Sequence, residues 1–302
     1  MSSSESAEAM SPLGAWMLAA RPRTLPAAVS PVMVGTAMAV ADGKFEFMPA
    51  FAALMGALLL QIGVNLANDY FDFKKGIDTS ERLGPVRVTQ SGLIPPDRVR
   101  FAMMLIFGGA LAVGLYLTSV AGWPVLAVGM ACILASLAYS GGPFPLASHG
   151  LGDLFVFIFF GPVAVCGTYY VQALTVTTQV LWLSMPVGFL ITAIIVVNNL
   201  RDIPTDQKSG KNTLAVILGE RGTRLEYLLL VIGAYIMPAA FFFSGGFSVW
   251  VLLPLISIPM SIPNIIAVHK DKGPSLNQVL AKTAALSLVF SLLLSAGLVI
   301  SV

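Results

Sequence analysis

Two stretches of this chain place carboxylates and lysines at matching intervals. The first reads Asn68-x3-Asp72-x-Lys74-x-Gly76-x2-Thr79 and the second Asp202-x3-Asp206-x-Lys208-x-Gly210-x2-Thr213, with every paired position offset by 134 residues. Residues three or four apart share one face of a helix. If each stretch stays helical, Asp69 and Asp72 are neighbours, and so are Asp202 and Asp206. Carboxylates held that close repel one another unless a cation lies between them. Neither stretch contains His or Cys. An oxygen-only donor set suits a hard ion such as Mg2+, which keeps waters and takes one or two carboxylates together with phosphate oxygens. Arginines and lysines nearby would meet those phosphates. A lone pair of aspartates in a loop is more often solvated charge. It is the repetition of the pattern that favours a Mg2+–diphosphate cradle.

The elements that must position these residues are apolar. The chain has 302 residues, 57% hydrophobic and 11% charged, with a mean hydropathy of +0.85. A soluble domain carries about 25% charged residues, and a bilayer-spanning helix needs about 20 apolar residues. Nine such runs recur, at roughly 18–41, 47–68, 99–119, 123–140, 153–174, 181–200, 225–244, 248–268 and 279–301. They lack the alternation of barrel strands, so the expected class is an all-α polytopic membrane protein. Each aspartate stretch follows one of these spans. With nine spans, 16 of the 17 basic residues fall on one side and only Lys44 on the other. That side is expected to be cytoplasmic, with the N-terminus inside. Residues 1–13 read as a disordered tail before a membrane domain at 14–302. Cys132 and Cys166 lie inside apolar runs and read as small core residues. No nucleic-acid signature is present. A four-span pseudo-repeat is also found in secondary transporters, but their sites lie near the bilayer midplane, whereas these acids collect at one face.

The two stretches, "NDYFDFKKGIDT" and "NNLRDIPTDQKSGKNTLAV", resemble the aspartate-rich motifs of the UbiA superfamily of intramembrane prenyltransferases. "RPRTLPAAVSPVMVGTA" (21–37), "RLGPVRVTQSGLI" (82–94) and "YSGGPFPLASHGLGDLFVFIFFGPVAVCGTYYVQ" (139–172) are similar to its naphthoate-prenylating branch. The superfamily pattern NDxxDxxxD is matched by Asn68, Asp69 and Asp72, but Gly76 stands where the last acid belongs and Asp78 follows two residues later.

The resemblance implies a nine-helix bundle around a central cavity, capped by the two polar loops. It implies Mg2+ held by Asp69, Asp72, Asp78, Asp202 and Asp206. It implies diphosphate contacts from Asn68, Lys74, Arg82, Arg87, Lys208 and Lys211. Asp153 would orient or deprotonate the acceptor, and Tyr139, with Tyr70 and Phe71, would face the allylic cation. His149 reads as a loop hydrogen-bonder. The implied partners are membrane lipid, a polyprenyl diphosphate and an aromatic acid, 1,4-dihydroxy-2-naphthoate, with 4-hydroxybenzoate or homogentisate as alternative acceptors.

Overall fold

The computed structural model describes residues 10–77 and 83–301. Among the described residues, nine helices are long and apolar enough to cross a membrane: α1 (Pro12–Ala41), α2 (Phe47–Lys74), α3 (Pro96–Ala121), α4 (Trp123–Ser140), α5 (Gly152–Ala173), α6 (Thr178–Lys208), α7 (Leu214–Phe243), α8 (Val249–Lys270) and α9 (Gly273–Ile300). The chain is an integral, multi-pass membrane protein, as its hydropathy implies. In hydrocarbon only a helix or a closed barrel satisfies every backbone N–H and C=O internally.

Helix α6 is the axis of the bundle. About 72% of its span is buried inside the protein, against 6% for α4. Val187, Leu190, Ala193, Val196 and Val197 of α6 are fully enclosed and pack with side chains of α1, α7 and α9 in the largest apolar cluster. Helices α5 and α6 approach closely. A Cβ on Gly161 would stand 3.0 Å from the Gly188 Cα, so the two backbones touch. Gly161 lies in a π turn, Phe159–Val163, where Pro162 has no N–H to give the regular ladder.

Breaks within the helices fall at identifiable residues. Arg21 takes a left-handed conformation (φ 52) between an N-terminal helix, Pro12–Ala20, and the rest of α1. Ser11 caps that short helix through its hydroxyl, which accepts the Gly14 N–H. Near its N-terminal end α7 is kinked at Gly219, whose φ of 67 interrupts the helix.

The ends of α2 and α6 decide where the acids go. Both helices run well past the apolar runs, α2 to Lys74 and α6 to Lys208, so both acidic stretches begin on helix. Each stops at the glycine shared by the two stretches. Gly76 (φ 65) and Gly210 (φ 75) adopt the left-handed conformation that lets a helix terminate. The amide after each glycine folds back onto the carbonyl of a motif aspartate, Ile77 onto Asp72 at 3.0 Å and Lys211 onto Asp206 at 2.9 Å. The repeated spacing is therefore one helix-termination device used twice.

Candidate active site

A cavity of about 1020 Å³ opens between the helices. One end carries Asn68, Asp72, Arg87, Asp202, Asp206 and Lys211, and Lys208 and Asn199 also reach its wall. The body is apolar, with Leu117, Leu126, Ile133, Phe159 and Val163 from α3, α4 and α5. On α2 the cavity-facing polar residues are Gln61, Asn65, Asn68 and Asp72. Their intervals of four, three and four trace a single helical stripe. On α6, Asn198, Asp202, Thr205 and Asp206 do the same.

Asp72 is the most heavily engaged acid. It is 4% exposed and meets Arg87 Nη2 at 3.3 Å and Lys211 Nζ at 3.5 Å. Arg87 comes from the α2–α3 loop and Lys211 from the α6–α7 loop, so one carboxylate gathers cations from both. Asn68 accepts a hydrogen bond from Ser140 Oγ at 2.6 Å, which ties α2 to the end of α4. Asp202 receives Arg201 at both oxygens, Nε at 2.7 Å and Nη2 at 2.5 Å.

Asp69 faces elsewhere. It does not line the cavity. Its two oxygens accept the backbone N–H groups of Val88 at 3.1 Å and Thr89 at 3.0 Å. This buried carboxylate thus holds the α2–α3 loop, the one that delivers Arg87, against the end of α2.

Lys74 also points away. It is exposed and lies 5.9 Å over the Tyr70 ring. Lys75 reaches across to the end of α4 instead, donating to the carbonyls of Ser140 at 2.6 Å and Gly142 at 3.3 Å. Burial holds the Lys75 ammonium below the usual lysine range, opposed by the attraction of Asp72 and reinforced by Lys211. Spacing carries this signal. Two residues beyond Asp72 is the opposite side of a helix, whereas three residues beyond is the same side.

Tyr139 lines the cavity, and its charged neighbours are Asp72, Asp153 and Asp206. Asp153 is buried, 4% exposed, and is not on the cavity wall. It sits behind Tyr139 and Asn199, beside the Asn199 amide, and neither of its oxygens closes a hydrogen bond. His149 is bonded to the Pro145 carbonyl at 2.8 Å and stacked on Phe144 at 3.6 Å, in a loop that pairs with Asn212. Cys132 and Cys166 are free thiols. Asp78 and Arg82 lie outside the described residues. Among the described residues, no three His, Cys, Asp or Glu side chains group closely enough to hold an ion alone.

The sequence model of the UbiA prenyltransferase family matches residues 28–292. The chain belongs to this family. It is 40% identical to a 1,4-dihydroxy-2-naphthoate octaprenyltransferase of Mycobacterium tuberculosis, over 96% of this chain and 98% of that one. It is 36% identical to the protein of the same name in Escherichia coli, over 95% and 96% of the two chains. A UbiA homolog from Archaeoglobus fulgidus bound to GPP and Mg2+ has the same fold, with a TM-score of 0.70 at 14% identity over 94% of this chain and 99% of that one. A UbiA homolog from Aeropyrum pernix superposes with a TM-score of 0.66 at 15% identity over 90% and 97%.

Within this UbiA-family site, the cavity residues not singled out in the sequence include Arg21, Thr24, Gln61 and Asn65. Gln61 and Asn65 both donate to Thr24 Oγ1, at 3.1 and 3.0 Å, across the α1–α2 seam. Their signal was available, because both lie on the Asp72 stripe and an amide buried in a span needs a partner.

Proposed function

We propose that this chain transfers a polyprenyl group from its diphosphate to 1,4-dihydroxy-2-naphthoate, replacing the carboxylate and releasing CO2 and diphosphate to give the quinol demethylmenaquinol, which a separate two-electron oxidation, by O2 in air, turns into demethylmenaquinone. The observation that carries this reading is the polarity of one cavity. Acids and cations close one end, and the rest is a long apolar volume suited to an isoprenoid tail. The choice of acceptor follows the relatives named 1,4-dihydroxy-2-naphthoate octaprenyltransferase, which are 36% and 40% identical in Escherichia coli and Mycobacterium tuberculosis.

The residues present fit Mg2+. Asp72, Asp202 and Asp206 offer hard oxygen donors from two helices, and among the described residues no protein cluster is complete by itself. This suits an ion that keeps waters and fills its shell with substrate phosphates. Asp72, Asp202 and Asp206 would hold it, with Asn68 in support; when bound it neutralises charge on the departing diphosphate. Arg87, Lys208 and Lys211 bind diphosphate oxygens through charge-assisted hydrogen bonds. Lys74 is assigned no substrate contact, since it faces away. Asp69 is assigned to anchoring the loop that carries Arg87 rather than to the metal.

Below this end, Arg21, Thr24 and Gln61 offer the acceptor's oxygens polar partners. Tyr139 faces the reacting centre, where its ring stabilises cationic character. Asp153 acts from behind Tyr139 and Asn199, as a group that receives or orients a proton rather than one touching substrate. The apolar walls exclude water from the allylic centre. The distribution of basic residues supports an orientation with the N-terminus and both acidic stretches cytoplasmic, in the cell membrane.

The deciding experiment uses membranes containing the protein, 1,4-dihydroxy-2-naphthoate, a long-chain prenyl diphosphate, and Mg2+ present or chelated. Mg2+-dependent demethylmenaquinol, recovered as demethylmenaquinone after oxidation in air, is expected with CO2 release. Prenylation of 4-hydroxybenzoate or homogentisate instead would reassign the acceptor, and no turnover with any aromatic would overturn the reading.

A further inference from the structure

The largest fully buried charged side chain is Arg201, at 1% exposure. A guanidinium in that position needs its N–H groups matched. Nε and Nη2 take the two oxygens of Asp202. Nη2 also donates to Asn198 Oδ1 at 2.8 Å, and Nη1 donates to Asn277 Oδ1 at 2.6 Å. Asn277 belongs to the first turn of α9. Its other amide atom, Nδ2, donates to the Leu83 carbonyl at 3.1 Å. Leu83 is followed by Gly84, where a Cβ would stand 2.8 Å from Arg201 Nη2. The α2–α3 loop therefore lies directly on the Arg201 guanidinium, and Asn277 clips it there.

We propose that Asn277 is a positioning residue that couples the second acidic stretch to the loop carrying Arg87, through Arg201 on one side of its amide and Leu83 on the other. The coupling deepens the reading above, on which Asp202 and Arg87 serve the same diphosphate. A planar amide suits the task, because it presents an acceptor to the arginine and a donor to the loop carbonyl at once. Asp69 fixes the later part of the same loop at Val88 and Thr89, and Asn277 fixes its entry. Arg87 is thereby registered against Asp72 from α2 and against Asp202 from α6 and α9. Placing cationic donors before the substrate arrives removes an ordering cost from binding.

Two substitutions separate the halves of the clip. Asn277→Ala loses both. Asn277→Asp keeps an acceptor for Arg201 but sets an oxygen against the Leu83 carbonyl, so it releases the loop alone. The full-length protein is tested in detergent by tryptic cleavage after Arg87, without substrate or metal, and then by kinetics with farnesyl diphosphate. Both variants are expected to raise the cleavage rate about tenfold, the cost of about one buried hydrogen bond. Both should raise KM for the prenyl diphosphate by a similar factor while leaving KM for the acceptor unmoved. Only Asn277→Ala should also raise the Mg2+ concentration for half-maximal rate. If Asn277→Asp is cleaved at the wild-type rate, or if its acceptor KM rises with its diphosphate KM, the coupling is overturned. The cleavage measurement needs no turnover, so it stands apart from the identity of the acceptor.

Discussion

Replacing Asp69 by asparagine separates two roles that one acid could hold. The Asp69 carboxylate accepts two backbone N–H groups, at 3.1 and 3.0 Å, and is 2% exposed. Each charge-assisted bond of this kind is worth about 1.5–3 kcal/mol. Asparagine keeps one as a weaker neutral bond and turns its NH2 toward the other amide, donor against donor. The net cost is about 3 kcal/mol, roughly a hundredfold more of the loop in an open state. Arg87 rides on that loop, so prenyl diphosphate binding should weaken by a comparable factor. The assay is tryptic cleavage after Arg87 in detergent, beside a Mg2+ titration at saturating prenyl diphosphate. Cleavage should accelerate strongly while the Mg2+ midpoint stays within about threefold, a shift under about 0.7 kcal/mol. A wild-type cleavage rate with a Mg2+ midpoint raised tenfold or more would refute loop anchoring and restore Asp69 as a metal ligand.

Further outcomes follow from the same geometry. Asp206→Asn should leave the protein folded and inserted, judged by gel filtration, while turnover falls by about three orders of magnitude, the scale of losing a preorganised electrostatic group; normal turnover would remove Asp206 from the site. Gln61→Leu should raise KM for the aromatic acceptor about tenfold and leave the prenyl diphosphate KM alone, as steady-state kinetics with each substrate varied will test. Gly161→Leu must force α5 from Gly188, against a Cβ distance of 3.0 Å, and should lower the melting temperature by several degrees. A cysteine introduced at Gln207, beside Lys208, should react with an impermeant maleimide only from the cytoplasmic side of sealed vesicles.

The spans and the core of the site were legible because both are local periodicities. Nine apolar runs, and acids repeating at three and four residues before a glycine stop, survive in a linear reading because a helix converts spacing directly into direction. Lys74 shows the same rule in reverse: helical angle carries it over the Tyr70 ring, while the neighbouring Lys75 reaches the end of α4. Asp69 and Asp72 are likewise adjacent in any motif. Yet one serves backbone amides 19 and 20 residues away while the other meets Arg87 and Lys211. Nothing in the spacing of acids records which amides a loop will bring back. Asn277 lies 194 residues from Leu83 and 76 from Arg201, so its role exists only after α9 has packed beside α6. Asp153 stands out in the sequence by its place at a span end, but that place does not record that Tyr139 and Asn199 line the cavity while Asp153 does not.

The continuation of α2 and α6 as helix to Lys74 and Lys208 has a consequence for how the protein ages with heat. Its acids are mounted on the projecting ends of two membrane rods, and their separation is set by how those rods pack within the bilayer. A loop-borne site would lose its geometry first and its fold later. Here inactivation and the loss of bundle packing should coincide on one temperature curve, and bilayer thickness, which tilts the rods, becomes a variable of catalysis.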